Sequence, residues 1–221
     1  MRLLPEKELI KTSDVDHAPW NYDGVLGYVS RRRFELVTSL LPKRAEKLLE
    51  IGYGSGIFMP ELARYTDNLF GVDVHERADE IAAVLKRNGV TATLSTASAD
   101  ALPFPDRSFD AVVVVSTFEF VPDIERAARE VRRVLRPGGV AIVVTPVENL
   151  FLDIALRIAT GESAKNDFGD RRKQIVPTLM RELQHQRSAW FPRVSPLPVY
   201  RAMRLTALPP DGLRRTRAGA G

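Results

Sequence analysis

LLEIGYGSGIF, residues 48–58, runs through an acid at Glu50 and then places glycine at three of five positions, Gly52, Gly54 and Gly56. A backbone loosened directly behind a short apolar strand is what the first turn of an open α/β sheet requires, because ligands bind there beyond the carboxyl ends of the strands. Glycine permits positive φ and removes the Cβ that would hold a ligand away from the main chain. The helix that follows offers unpaired N–H groups. The loop therefore reads as a seat for a small molecule.

The flanking sequence agrees. From Lys47 onward, KLLEIGY, GIFMPELARYTD, NLFGVDVH, RADEIAAVLKRNG, TATLSTASA, FDAVVVVS, DIERAAREVRRVLRPGG and VAIVVTPV alternate short apolar strands with helical stretches. Strands that are nearly continuous Val, Ile and Leu are buried on both faces, and helices between them imply parallel crossovers. The expected fold is α/β, a Rossmann-like doubly wound, mostly parallel sheet with helices on both faces. Pro122 and Asp123 open the fourth of these helices, Arg132, Arg133 and Arg136 crowd its end, and Pro137-Gly138-Gly139 stops it.

Beyond Val147, ENLFLDIALRIATG and QIVPTLMRELQHQ read as amphipathic helices, and SAWFPRV and VYRAMRLTA as two last strands joined through SPLP. Residues 1–45, punctuated by Pro5, Pro19 and Pro42, form a helical lead-in or lid outside the core, with an amphipathic stretch from Gly27 to Leu41. Residues 46–207 make the main domain, and 208–221 have the composition of a disordered tail.

The 221 residues include no cysteine, which removes disulfides, cysteine-ligated metals and a thiol nucleophile, and fits a cytoplasmic protein. The N-terminus lacks a signal peptide's apolar core, and no apolar run approaches the roughly 20 residues of a membrane span. A net charge of +4 is modest. The basic clusters at 31–33, 171–173 and 214–215 read as solvated helix faces and tail, so nucleic acid is a disfavoured partner.

The loop's spacing is G-x-G-x-G. A phosphate-binding Walker loop would end in Gly-Lys-Ser/Thr, which is absent, and a dinucleotide fingerprint would place its third glycine where Ile57 stands. Spacing alone leaves NAD and other adenosine cofactors open. Asp73, ending the second strand in GVDVH, can accept hydrogen bonds from two ribose hydroxyls, and Asp100, in ASADALPFPD, can accept one from an exocyclic amine.

Taken together, LLEIGYGSG, GVDVH, ADALPFPDRSFD and VRRVLRPGG, in this order across residues 46–147, resemble the class I S-adenosylmethionine-dependent methyltransferases, in particular the ubiquinone-biosynthesis and small-metabolite enzymes. The resemblance implies a seven-stranded sheet completed by the two last strands, and S-adenosyl-L-methionine as cofactor. It implies that Glu50, Gly52, Tyr53, Gly54 and Gly56 seat the methionine part, and that Asp73, with Val74 beside it, takes the ribose. Ala99, Asp100 and Ala101 would take the adenine, and Ser116 would lie by the amino group. The implied reaction is methyl transfer to a small-molecule acceptor.

Absences narrow the acceptor. STFEF replaces the (N/D)PP(Y/F) turn expected of enzymes that methylate nucleobase or glutamine amino groups, and pyrimidine carbon-5 chemistry lacks its cysteine. Phe120 stands where many small-molecule members carry histidine, and is expected to pack against substrate or core. Glu119, Tyr22 and Asp167 are the remaining candidates for catalysis. Glu119 is expected to be an exposed helix-entry residue, and Tyr22 could close over the cofactor. His17, His75 and His185 have no metal-like spacing; His75, two residues past Asp73, could lie beside the ribose but is expected to face solvent. An RNA methyltransferase and a binding-only relative without turnover are the alternatives.

Overall fold

A computed structural model describes residues 1–13, 18–147, 171–193 and 198–207. Seven strands form one sheet: β1 (Lys47–Ile51), β2 (Asn68–Asp73), β3 (Ala92–Thr96), β4 (Phe109–Val115), β5 (Leu135–Pro146), β6 (Leu183–Phe191) and β7 (Tyr200–Ala207). Their order is β3-β2-β1-β4-β5-β7-β6. β1 to β5 pair in parallel, whereas β7 runs antiparallel to both β5 and β6.

Residue parity divides the core between the two faces, as a period of two requires. Leu48, Ala111, Val113, Val140, Ile142 and Val144 join a cluster with α1 (Gly24–Leu40), α2 (Met59–Leu62) and α3 (Ala78–Arg87). Leu49, Ile51, Val112, Val114, Ala141 and Val143 meet α4 (Ile124–Val134) and α5 (Arg171–Glu182) on the opposite face. The apolar runs of β1, β4 and β5 are buried throughout because both faces are covered.

Three expectations are corrected. The lead-in is part of the core: Leu4, Phe34, Val37 and Leu40 are buried with the first cluster, and the Leu4 N–H donates to the Ile57 carbonyl. The helix expected over QIVPTLMRELQHQ stops at Glu182, and LQHQ opens β6, because pairing with β7 from Leu183↔Ala207 outweighs local helix preference. α4 ends at Val134, before Pro137-Gly138-Gly139, which lies inside β5. Its opening is as expected, with the Asp123 carboxylate accepting the Arg126 N–H at 2.9 Å.

The helix expected over ENLFLDIALRIATG, the SPLP turn apart from Pro198, Asp167, His17 and the 208–221 tail lie outside the described residues. Among the described residues, no helix is long and apolar enough to cross a membrane.

Candidate active site

β1 and β4 are adjacent, with β2 and β3 continuing to one side and β5 to the other, so the strand order reverses between them. At their carboxyl ends lies a cavity of about 460 Å³. Glu50, Gly52, Tyr53, Gly54, Asp73, Val74 and Ser116, all named from the sequence, line it together.

The glycines differ in their work. Gly52 has φ +77°, and a Cβ there would come within 2.2 Å of the Thr117 hydroxyl, so this glycine makes room for the β4 loop. Gly54 has φ +50°, and a Cβ there would meet nothing within 4 Å. That is the open cradle. Gly56 packs against Ile81 of α3 and is not part of the lining.

Asp73 fastens the loop. Its Oδ2 accepts the Gly54 N–H at 2.8 Å and its Oδ1 accepts the Val74 N–H at 2.7 Å. Each carboxylate oxygen has a second lone pair, so both remain able to receive a ligand hydroxyl. His75, expected in solvent, instead has 9 % side-chain exposure. Its Nδ1 accepts the Arg77 N–H at 3.2 Å, which leaves the proton on Nε2 to be donated to the Gly54 carbonyl at 3.0 Å. The ring also meets Tyr53 edge-on at 5.0 Å.

Several buried polar atoms have no hydrogen-bond partner among the described residues: Glu50 Oε2, the Tyr53 hydroxyl, Ser55 Oγ and Ser116 Oγ, all on residues lining this cavity. Unpaired buried polar groups are costly, and a cluster of them in one cavity points to a polar ligand. Burial raises the Glu50 carboxyl well above its ordinary pKa, and the Asp73 charge adds to this while Arg33 opposes it. Ser116 holds φ +50°, an unusual conformation for a residue with a Cβ, and its N–H donates to Val144.

Ala99, Asp100 and Ala101 are not in the lining. They follow β3, which ends at Thr96, in a turn closed by the Ala101 N–H donating to Ser98. The rest of that motif is structural: Arg133 of α4 donates to the Leu102 and Phe104 carbonyls and pairs with Asp106.

Of the catalytic candidates, Tyr22 lies outside the lining and its hydroxyl donates to the Leu4 carbonyl. Glu119, expected to be exposed, is buried, and neither carboxyl oxygen has a partner among the described residues. Burial pushes its pKa to about 7, held back by its own backbone N–H and the Thr145 hydroxyl, which lie near without completing a hydrogen bond, and by the Arg172 and Arg33 charges. Its neighbour Phe120 is 42 % exposed at the cavity rather than packed in the core.

Sequence reasoning missed Arg33, Phe34 and Phe58, which also line the cavity. Phe34 stacks on Phe58 with ring centroids 4.3 Å apart. The 31–33 cluster is not a uniform solvated face, because each arginine has a distinct place: Arg31 donates to the Asn21 carbonyl, Arg32 pairs with Glu35, and Arg33 turns to the cavity.

Residues 49–143 match the family model described as a methyltransferase domain. Relatives include the ubiquinone biosynthesis O-methyltransferase of Albidiferax ferrireducens, 30% identical over 60% of this chain and 55% of its own. The sterol 24-C-methyltransferase of Aspergillus fumigatus is 34% identical over 51% of this chain and 31% of its own. The chain thus spans from just under a third to just over half of these proteins' lengths. Among solved structures, N-methyltransferase NodS of Bradyrhizobium japonicum in complex with S-adenosyl-l-homocysteine superposes with a TM-score of 0.63 at 17% identity, covering 90% of this chain and 95% of its own. Residues 49–143, less than half of the chain, thus match a methyltransferase domain, and the solved structure shares the fold.

Proposed function

We propose that this protein is a methyltransferase that transfers the methyl group of S-adenosylmethionine to a small, largely apolar acceptor. The observation that carries this reading is the cavity at the β1/β4 switch, where Asp73 grips the open Gly54 turn and unpartnered buried polar atoms converge. The sheet argues against a dinucleotide site. Such sheets continue as 3-2-1-4-5-6, whereas here β7 enters antiparallel between β5 and β6.

The residues suit the cofactor's polar groups. Asp73 would take the ribose hydroxyls, and Val74, 70 % exposed beside it, would lie against the base. Glu50 and Ser116 would receive the ammonium group, whose charge would restore the ionised form of Glu50. Arg33 would face the carboxylate. Gly56, Ala99, Asp100 and Ala101 would act by shaping the loops around the cofactor.

The cofactor supplies a sulfonium-bound methyl group that is already electrophilic, which leaves positioning as the protein's main task. Phe34, Phe58, Val115 and Phe120 form an apolar wall that keeps water from an acceptor, and Thr12, Ser13 and Ala18 of the lead-in also line the cavity. Glu119 does not itself line the cavity, but its neighbour Phe120 does, and Glu119 would hold or receive a proton where the acceptor must lose one.

Calorimetric titration with S-adenosylmethionine and, separately, NAD tests the reading. Micromolar binding of the former, followed by transfer of labelled methyl to apolar phenols or amines, is the expected result. Tighter binding of NAD would overturn it.

A further inference from the structure

A second concavity, of about 600 Å³, lies between the outer side of α1 and the end of edge strand β6. It does not share a lining residue with the cavity at the β1/β4 switch. Tyr28 and Arg32 of α1 face Trp190, Phe191 and the exposed Arg187 and Arg193. Val25, 81 % exposed, precedes Tyr28 by three positions and so continues the same helical stripe. Tyr28 is 49 % and Trp190 36 % exposed. Three large apolar side chains thus stand in water beside three arginines. Glu35 is the one acid in the lining, and Arg32 pairs with it. Neither Arg187 nor Arg193 forms an ion pair among the described residues.

We propose that this face docks on an anionic phospholipid surface. Arginine beside tyrosine and tryptophan satisfies both layers of such an interface, with cations at the phosphates and the rings and Val25 at the acyl boundary. A nucleic acid would also attract the arginines, but it needs free ring faces on which bases can stack. Here one face of Tyr28 is covered by Arg32, 4.2 Å from its centroid, and one face of Trp190 by Arg201 at 4.9 Å. Val25, moreover, has no ring to offer. One face of each ring is already taken, and the exposed Val25 adds a purely aliphatic contact that suits insertion. The proposal stands apart from the methyl-transfer reading, although α1 joins the two sites: Arg33 and Phe34 line the inner cavity while Tyr28 and Arg32 face outward. Docking through α1 would hold the inner cavity close to the layer into which apolar acceptors partition.

The test is flotation of the full chain with phosphatidylcholine vesicles, with and without a one-third share of phosphatidylglycerol. Anionic vesicles should bind roughly twenty-five-fold more tightly, about fivefold for each of the two unpaired arginines. Arg187→Glu with Arg193→Glu should erase that preference, and Val25→Ser with Trp190→Ser should weaken binding at unchanged charge. Each variant should melt like the wild type and keep its affinity for S-adenosylhomocysteine. In a Trp20→Phe protein, where Trp190 is the single tryptophan, anionic vesicles should shift its emission to the blue. Equal binding to both compositions, no emission shift, or binding indifferent to Val25 and Trp190 and fully displaced by polyuridylate RNA would each overturn the proposal.

Discussion

Asp73 ends β2 and Glu119 lies in the short turn that follows β4, and their environments separate them. Asp73 is held by two backbone N–H groups, while the buried Glu119 has no partner among the described residues and a pKa near 7. For an acid whose folded pKa is raised, the folded state binds the proton that the unfolded state has released. Stability is therefore greatest below about pH 4.5 and falls as pH rises toward 7. Glu119→Gln removes this dependence, so its stability relative to the wild type should improve between pH 5 and 8, by at most about 3 kcal/mol, in urea titrations at the two values. A role in proton transfer adds a second outcome: turnover falls while S-adenosylmethionine affinity holds. Wild-type turnover would remove Glu119 from the chemistry. Asp73→Ala should weaken S-adenosylmethionine binding by about 1.5–3 kcal/mol, the scale of charged hydrogen bonds, as measured by calorimetry. Gly52→Ala forces a Cβ against Thr117 at positive φ and should cost roughly 1–3 kcal/mol of unfolding free energy, part of it recovered by adding Thr117→Ala. Asp73 was legible because its place after an apolar strand is a matter of spacing. The burial of Glu119 was not, since it depends on packing from β5, α1 and α5 that no local pattern records.

Among the elements, α4 was the most legible. Asp123 caps it, and Ala127, Ala128, Val131 and Val134 recur at helical spacing to face the sheet. Asp123→Ala should cost about 1 kcal/mol, checked by chemical denaturation. α1 was legible as a helix but not as a wall of the cavity. Its period placed Phe34 and Val37 on one side, but the three consecutive arginines gave no sign that each faces a different neighbour. β6 was misread over Leu183–Gln186 because that stretch has helical composition and only its partner β7 makes it a strand.

For the whole molecule, a ligand that binds only the folded chain must stabilise all of it. Saturation with S-adenosylhomocysteine at a hundred times its Kd should add about 2.7 kcal/mol, a rise in Tm of roughly 5–10 °C for a chain of this size. No rise in differential scanning calorimetry would remove the cofactor assignment. The central strands could be read from sequence because burial on both faces leaves an unbroken apolar record in β1, β4 and β5. The order of the last two strands could not, because nothing in VYRAMRLTA says that it inserts between two strands made earlier. That insertion matters before the protein is finished. β5 is synthesised with α4, yet its outer edge stays bare until β7 emerges, since Val140 waits for Thr206 and Pro146 for Tyr200. On the ribosome, the nascent chain carries an apolar strand with an open edge through the making of every residue between them. Its most dangerous interval for aggregation runs from the completion of β5 to the emergence of β7, and a chain cut short of Tyr200 would never leave it.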